Sequence, residues 1–146
     1  MLQVAVFNAH PRRRVRKKVC SAYVRQVLRS EGRRRARVSV VFIDNAFSRR
    51  INKAYLGHDY ATDVVSFPLE PESNLEGEIY VNLDRARSQA VAYGVSGTSE
   101  IARLVIHGTL HLLGYDDRTT GQSRRMKARE DALVDALVFR YKKRQQ

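Results

Sequence analysis

The sequence contains a single cysteine and no apolar run that approaches the roughly 20 residues of a membrane-spanning helix. Cys20 has no second cysteine to pair with, so an internal disulfide is excluded and a reducing cytoplasm is the expected location. The apolar stretch 2–7 is too short for a secretory signal peptide. Repeats, low-complexity tracts and linkers are also lacking. We therefore expect one cytoplasmic domain over residues 1–146, with no membrane segment and with a basic tail at about 142–146.

What the chain has in excess is positive charge, and that charge is concentrated at its two ends. Residues 1–37 have a net charge of +11, residues 38–123 of −4, and residues 124–146 of +5, which together give the +12 of the whole chain. Such an arrangement suits a protein that binds a polyanion while keeping carboxylates near a cation, and it favours RNA or DNA as partner. The alternative is that the charged runs are only solvated helix faces. The basic candidates for RNA binding are Arg12, Arg13, Arg14, Arg124 and Arg125.

Hydrophobic periodicity predicts an α+β fold, in which one small mixed sheet of about four strands is covered by four to five helices. Strands 63–69 and 77–83 are spaced so that they can form an antiparallel pair. Asp84 is expected to cap the helix that follows them, and Gly114 to end a strongly apolar helix. The other predicted strands are 3–7 and 38–43, and the predicted helices are about 15–32, 45–57, 84–93, 99–113 and 120–141.

Two histidines on the apolar helix have the spacing of a metal-binding pair. His107 and His111 are four residues apart, so both imidazoles project from one helix face and can bind one zinc ion. Asp117 lies just beyond the turn at Gly114, from which the chain can fold back and add a third ligand. Three protein ligands leave one tetrahedral position open, as in catalytic rather than structural zinc sites. The sequence therefore predicts one Zn²⁺ per chain, held by His107, His111 and Asp117.

The alternative for the two histidines is a surface or hydrogen-bonded core position, since a pair at this spacing also occurs by chance. Against that alternative, two of the four histidines of the chain lie on a very apolar helix, where an unpartnered polar ring would be costly.

The stretch His107-Gly-Thr-Leu-His-Leu-Leu-Gly-Tyr-Asp-Asp117 closely resembles the signature of the YbeY family, the bacterial zinc-dependent endoribonucleases of ribosomal RNA maturation. Residues 52–68, which end in Ala-Thr-Asp-Val-Val-Ser-Phe-Pro, and the segment Gly-Glu-Ile-Tyr-Val at 77–81 are also similar to that family. Order and spacing agree over most of residues 38–141. The resemblance implies the α+β fold of the family, a metal on the helix and its following turn, and an RNA substrate.

Taken together, the resemblance and the residues predict a zinc-dependent endoribonuclease of the single-strand type, acting in ribosomal RNA maturation and ribosome quality control. Its expected partner is RNA, either ribosomal RNA or the small ribosomal subunit. The sequence leaves the oligomeric state open.

Two positions depart from the common family pattern. Asp117 stands where a third histidine is expected; carboxylate oxygen is still a zinc ligand, and it adds a negative charge to the site. Asp116 matches a family aspartate and is expected to support the turn or the ligands. Leu56 stands where the family usually carries an arginine that assists cleavage at the phosphate. Either another residue has taken over that task, or nuclease activity is weak or absent.

The catalytic residues stay open, with His58 and Asp63 as weak candidates. His58 could supply a proton or a charge near the substrate, or it could be an exposed loop histidine. Asp63 could orient a ligand histidine, or it could shape a turn. For Ser66, in the same strand segment, we favour a structural hydroxyl over a functional one.

Two other functions remain as alternatives. One is a non-catalytic factor of ribosome assembly that binds ribosomal RNA and is stabilised by the metal, an alternative that Leu56 keeps open. The other is a zinc peptidase, because paired helical histidines also mark metzincin-like proteases. Those enzymes place a glutamate after the first histidine, where this chain has Gly108, so the peptidase is the weaker alternative.

Overall fold

The computed structural model describes residues 1–70 and 75–139, which form a mixed four-stranded sheet and five α-helices. The predicted α+β class is therefore confirmed. The strands are β1 (Leu2–Asn8), β2 (Ala36–Ile43), β3 (Val64–Glu70) and β4 (Leu75–Asn82). The α-helices are α1 (Lys17–Ser30), α2 (Asn45–Ile51), α3 (Leu83–Tyr93), α4 (Gly97–Leu112) and α5 (Thr120–Val134). Short π-helical turns at Asn52–Leu56 and Asp135–Phe139 extend α2 and α5.

The strands follow the order β1-β2-β4-β3 across the sheet. β1 and β2 are parallel, β2 and β4 are parallel, and β3 and β4 form the antiparallel pair that the sequence predicts. Side chains alternate between buried and more accessible positions along β2 and β4, as expected for strands with one face in the core. The buried residues of that face, among them Val38, Val40, Phe42, Ile79 and Val81, pack with helices α1, α3 and α4.

Helix α4 is the element around which the helical layer is arranged, since it contacts α1, α3, α5, β3 and β4. Its close approach to the sheet depends on glycine. A Cβ atom on Gly108 would lie 2.5 Å from Ile79 Cγ2 and 3.1 Å from Ser66 Oγ, and a Cβ on Gly77 would lie 2.5 Å from Leu112 Cδ2. The Ser66 hydroxyl also donates a hydrogen bond of 2.9 Å to the Gly108 carbonyl. Ser66 thus has the structural role that we favoured for it.

The expectation that Asp84 caps α3 is wrong. Helix α3 begins one residue earlier, and the Asn82 side chain caps it by accepting the amides of Asp84 and Arg85. The Asp84 carboxylate instead accepts hydrogen bonds from His10 Nε2 at 2.9 Å, from Arg13 Nε at 3.2 Å and from the Asn45 amide at 3.0 Å. Asp84 therefore joins the loop after β1 and the start of α2 to α3.

The other predicted boundaries agree with the structure to within a few residues, and the differences lie at the ends of both helices and strands. The helix predicted to run unbroken to Gly57 changes to a π-helical turn after Ile51, and Gly57 closes that turn at φ +71°. The last predicted helix extends to Tyr141, of which the part from residue 140 lies outside the described residues. No helix in the described ranges is both long enough and apolar enough to cross a membrane. The single-domain organisation stays a prediction.

The contact between α4 and the sheet can be tested at Gly108. We expect Gly108→Ala to lower the free energy of unfolding by about 1–3 kcal/mol, because the added methyl group overlaps the buried Ile79 side chain. The loss should exceed the roughly 1 kcal/mol that alanine gains over glycine in a helix interior. Urea unfolding followed by circular dichroism measures the effect. Gly121→Ala, a helical position with no atom within 4 Å of its Cβ, is the matched control, and an equal effect of both substitutions would contradict the close-packing argument.

Candidate metal centre

The structure brings the three predicted ligands together at the carboxyl end of α4. His107 and His111 lie on the last two turns of the helix, and Asp117 lies on the segment that follows it. One ligand atom from each of the three side chains can be chosen so that all three atoms lie within 4.8 Å of one another. His111 Nε2 is 3.8 Å from Asp117 Oδ2. Two imidazole nitrogens and one carboxylate oxygen form a donor set that divalent transition metals accept, so these residues can hold a metal ion.

The turn after α4 explains how Asp117 returns to the helix. The Gly114 amide donates to the His111 carbonyl and the Tyr115 amide donates to the Leu110 carbonyl, while Gly114 has a φ of +100° that disfavours other residues. Asp116 Oδ1 then accepts the Asp117 amide at 2.8 Å. Asp116 therefore shapes the turn, in agreement with the support role expected of it, and the Asp117 side chain is left 55% exposed.

The back of His107 is held by a buried carboxylate that the sequence analysis did not identify. His107 Nδ1 lies 2.5 Å from Glu130 Oε1, and Glu130 on α5 has a side chain only 6% exposed. Arg103 Nη1 donates to the other carboxylate oxygen of Glu130 at 2.6 Å and to Asp131 at 2.7 Å. An ionised carboxylate can only accept, so the hydrogen lies on Nδ1 of His107 and the Nε2 lone pair is left for a metal. Carboxylates that fix a ligand histidine in this way are common at metal sites.

Charges around the site favour the protonation states that metal binding requires. Burial alone would raise the pKa of Glu130, but hydrogen bonds from His107 and Arg103 outweigh it and hold the pKa below its ordinary value. Burial, assisted by the neighbouring His107, lowers the pKa of His111, so the neutral imidazole is favoured there. Ionised Glu130 can accept the hydrogen bond that orients His107, and neutral His111 can bind a metal ion.

A cavity of about 510 Å³ lies beside His107, on the side where Glu130 holds the ring. Glu100, on the same helix face two turns earlier, is 3% exposed in this cavity, and burial raises its pKa. Asp63 lines the cavity as well, but its oxygens accept from the Val64 amide and from Gln89 Nε2. The carboxylate that contacts a ligand histidine is thus Glu130 and not Asp63, while a catalytic role for Asp63 stays a prediction.

None of the described contacts of His58 is to His107, His111 or Asp117. His58 is exposed after the π-helical turn, and its ring stacks on Tyr60 at a centroid distance of 5.0 Å, with Nδ1 3.1 Å from the Tyr60 hydroxyl. Leu56, at the end of the same turn, is 42% exposed and offers no charge or proton. A catalytic role for His58 stays a prediction.

The five basic candidates occupy two places. Arg124 and Arg125 are exposed near the start of α5, and Arg125 lines a small cavity with Gly114, Tyr115 and Asp116, next to the turn that carries Asp117. Arg12, Arg13 and Arg14 lie in the loop between β1 and α1 and line a different groove. Arg125 therefore lies beside the turn that carries Asp117, whereas Arg12, Arg13 and Arg14 lie on a second surface.

Glu130 could have been found from the sequence. It lies four residues after Met126 and four before Val134, both of which are buried, so it falls on the apolar stripe of an amphipathic helix. A charged residue in such a stripe indicates a partner in the core. The identity of that partner, His107 on α4, depends on how the two helices pack and is not visible in the sequence pattern.

An α+β fold with two imidazoles and one carboxylate converging at the end of a helix defines a protein with a candidate metal centre of the open, three-ligand type. A comparison with protein-family models identifies it further: the model described as Endoribonuclease YbeY matches residues 6–138. The chain belongs to the YbeY family, as the resemblance of its sequence predicts.

Curated relatives are similar over almost their whole length. The Endoribonuclease YbeY of Chlorobium luteolum is 38% identical over 136 residues, which cover 93% of this chain and 98% of the relative. The proteins of the same name from Chlorobaculum tepidum and Salinibacter ruber are each 35% identical, covering 89% and 92% of this chain and 94% and 92% of their own.

A solved structure supports the fold independently. The solution structure of TM1509 from Thermotoga maritima matches with a TM-score of 0.70 over 97% of this chain and 93% of its own. At 23% sequence identity, the match establishes a shared fold and carries no argument about activity.

The contact between Glu130 and His107 predicts how firmly a metal is held. We expect Glu130→Gln to weaken zinc affinity by about 10- to 100-fold, because the amide no longer fixes the imidazole as an anionic acceptor does. Competition with a chromogenic chelator measures the affinity, and thermal unfolding of both proteins checks that the fold is intact. Asp131→Asn is the matched control, since Asp131 also pairs with Arg103 but is half-exposed and has no described contact with His107. Equal affinities of the wild type and the Gln variant would exclude the orienting role.

Proposed function

We propose that this protein is a zinc-dependent endoribonuclease that cleaves single-stranded RNA in ribosomal RNA maturation and ribosome quality control, in the cytoplasm. The observation that carries the proposal is the convergence of His107, His111 and Asp117, in a chain that belongs to the YbeY family. The name of the curated relatives, Endoribonuclease YbeY, supports RNA as the substrate. The concentration of positive charge at both ends of the chain supports a polyanion independently.

In this proposal, the side chains of the protein hold and orient the metal. His107, His111 and Asp117 bind it, and Glu130 keeps the His107 ring in one tautomer. Zinc bound there would act as a Lewis acid that activates water or polarises a phosphate. The exposed Asp117 side and the half-buried imidazoles leave the site accessible to a chain passing over the surface. Arg125, next to the turn, is suited to contact a phosphate near the metal.

A second function, that of a metal-stabilised RNA-binding factor without cleavage, is favoured by one observation. Leu56 replaces the arginine usual in the family with a side chain that neither donates a hydrogen bond nor carries charge. If no other residue replaces that arginine, RNA binding would persist while cleavage would be slow or absent.

The zinc peptidase has less support from the structure. A peptidase of the metzincin type needs a glutamate as general base after the first histidine. At that position Gly108 faces Ile79 and Ser66 so closely that even a Cβ atom would overlap them.

The first prediction concerns metal and cleavage together. Protein purified without added metal should contain about one zinc ion per chain by mass spectrometry, and it should cleave a ribosomal RNA fragment until chelation stops it. His111→Ala should lose both zinc and cleavage but keep RNA binding in a mobility-shift assay, because the basic ends are untouched. Cleavage by metal-free protein would contradict the proposal. Zinc and RNA binding without cleavage would support the second function, and casein cleavage that is lost on chelation would support the peptidase.

A further prediction distinguishes metal binding by the Asp117 side chain from a structural role of that side chain in the turn. The Asp117 contact within the turn is made by its backbone amide, so replacing its side chain should leave the turn intact. We expect Asp117→Ala to weaken zinc affinity at least about tenfold, whereas Asp117→His should retain it, because imidazole is an equivalent zinc ligand. Chelator competition measures all three proteins. If the alanine variant binds zinc as tightly as the wild type, Asp117 is not a ligand.

A further inference from the structure

A groove of about 600 Å³ lies between the loop that follows β1 and helix α3, on a different face of α4 from the cavity beside His107. Arg12, Arg13 and Arg14 line it from the loop, and Arg87 lines it from α3. Between them, the floor is apolar and consists mainly of Leu83, Ala90, Val91, Val95 and Ile101. The groove thus combines several guanidinium groups with an apolar surface.

Hydrogen bonds hold the loop that carries three of these arginines in a defined conformation. The His10 side chain is 5% exposed, and its Nδ1 accepts the amides of Arg12 and Arg13 at 3.1 and 3.0 Å. Its Nε2 donates to Asp84 on α3, and Asn8 Nδ2 donates to the Arg13 carbonyl at 2.8 Å. The loop backbone is therefore fixed before a ligand arrives, which reduces the ordering entropy lost on binding.

Most of the charge in the groove is not compensated locally. Arg13 pairs with Asp84, but within the described ranges no carboxylate lies at ion-pair distance from Arg12, Arg14 or Arg87. Three unpaired guanidinium groups around one groove attract an anion with several charges. Guanidinium groups also match phosphate oxygens in geometry better than ammonium groups do.

Exposed apolar side chains continue from the groove toward the cavity beside His107. Val91 is 79% exposed and Tyr93 is 65% exposed, on the last turn of α3. Val95 lines both the groove and the cavity beside His107, and Tyr93 lines that cavity. Along α4, the ten residues from Gly97 in the groove to His107 correspond to about 15 Å. A cationic groove followed by an exposed aromatic ring is typical of proteins that bind single-stranded nucleic acid.

We propose that this groove is a second RNA-binding site, which holds the single strand some distance from the bond that is cleaved. Phosphates of the strand bind Arg12, Arg14 and Arg87, and a base stacks on Tyr93 where the strand leaves the groove toward the cavity beside His107. The inference rests on the proposed ribonuclease function for the identity of the ligand, whereas the groove itself is independent of the metal ligands.

Binding of a labelled single strand tests the groove directly. The probe is a fluorescein-labelled oligouridine of roughly 12 nucleotides, followed by anisotropy in chelator from about 50 to 200 mM salt. The triple variant Arg12→Gln, Arg14→Gln, Arg87→Gln should bind about tenfold more weakly or worse, and its salt slope should fall by about two. The triple variant Arg33→Gln, Arg34→Gln, Arg35→Gln, whose exposed side chains lie between α1 and β2, loses the same charge outside the groove and should change affinity less than about threefold.

Variants of Tyr93 test base stacking, which a change of charge alone does not affect. Tyr93→Ala should weaken oligouridine binding about tenfold and leave the salt slope unchanged, whereas Tyr93→Phe should bind like the wild type. Equal losses of oligouridine affinity in the two arginine triple variants would show that binding is a general attraction of charge. That result would overturn the proposal that the groove binds RNA. Competition by polyglutamate as strong as that by unlabelled oligouridine would also overturn it, in favour of an acidic protein partner.

The outcome for the groove can be separated from the outcome for the proposed function. Groove-dependent binding by a protein that never cleaves RNA would support the groove and refute the ribonuclease. Cleavage by a protein whose groove variants bind oligouridine as tightly as the wild type would support the ribonuclease and refute the groove.

Discussion

The candidate metal centre depends on how closely α4 approaches the sheet at Gly108. This residue lies between the two candidate ligand histidines in sequence and against Ile79 of β4 in space, so closely that an added Cβ atom would overlap the Ile79 side chain. The hydrogen bond from Ser66 of β3 to the Gly108 carbonyl fixes the helix at the same point. Because His107 and His111 project from the helix at this level, the contact with the sheet determines where both imidazoles point. The packing of the core therefore also determines the placement of the candidate ligands in this fold.

The second support comes from the opposite side, where α5 presents Glu130 to His107. A carboxylate in so buried a position is stabilised by the hydrogen bonds that His107 and Arg103 donate to it and by Lys127, whose Nζ lies 3.6 Å from its Oε2. The His107 ring is thus held between a rigid sheet contact and an ionic contact. Asp117, by contrast, is positioned by the backbone of the turn, and its side chain faces solvent. The three candidate ligands are therefore positioned by different kinds of contact.

The sequence predicted most of the local structure because helices and strands follow from periodicity and from nearby capping residues. The helix that carries His107 and His111, its end near Gly114 and the antiparallel pair of β3 and β4 were all predicted. The order of the strands was not, because it depends on contacts between distant segments. Asp84 was assigned to the wrong task for the same reason: its partners include His10, 74 residues away. Glu130 was missed because its meaning depends on the helix that packs against it.

The proposed RNA binding and metal binding fall on different parts of this chain, and the distribution of charge supports that separation. The candidate ligand set itself contributes the carboxylate of Asp117 and no cation. The nearby carboxylates of Asp116 and Glu130 are paired with Arg118 at 3.1 Å and with Arg103 at 2.6 Å, so these two arginines are already engaged. Leu56 adds no cation where the family usually has one. Arginines outside the ligand set can attract an RNA strand, and the described structure places unpaired ones on a loop beside α3 that His10 holds by hydrogen bonds. Basic ends around an acidic middle thus support the proposal that RNA binds at a distance from the metal.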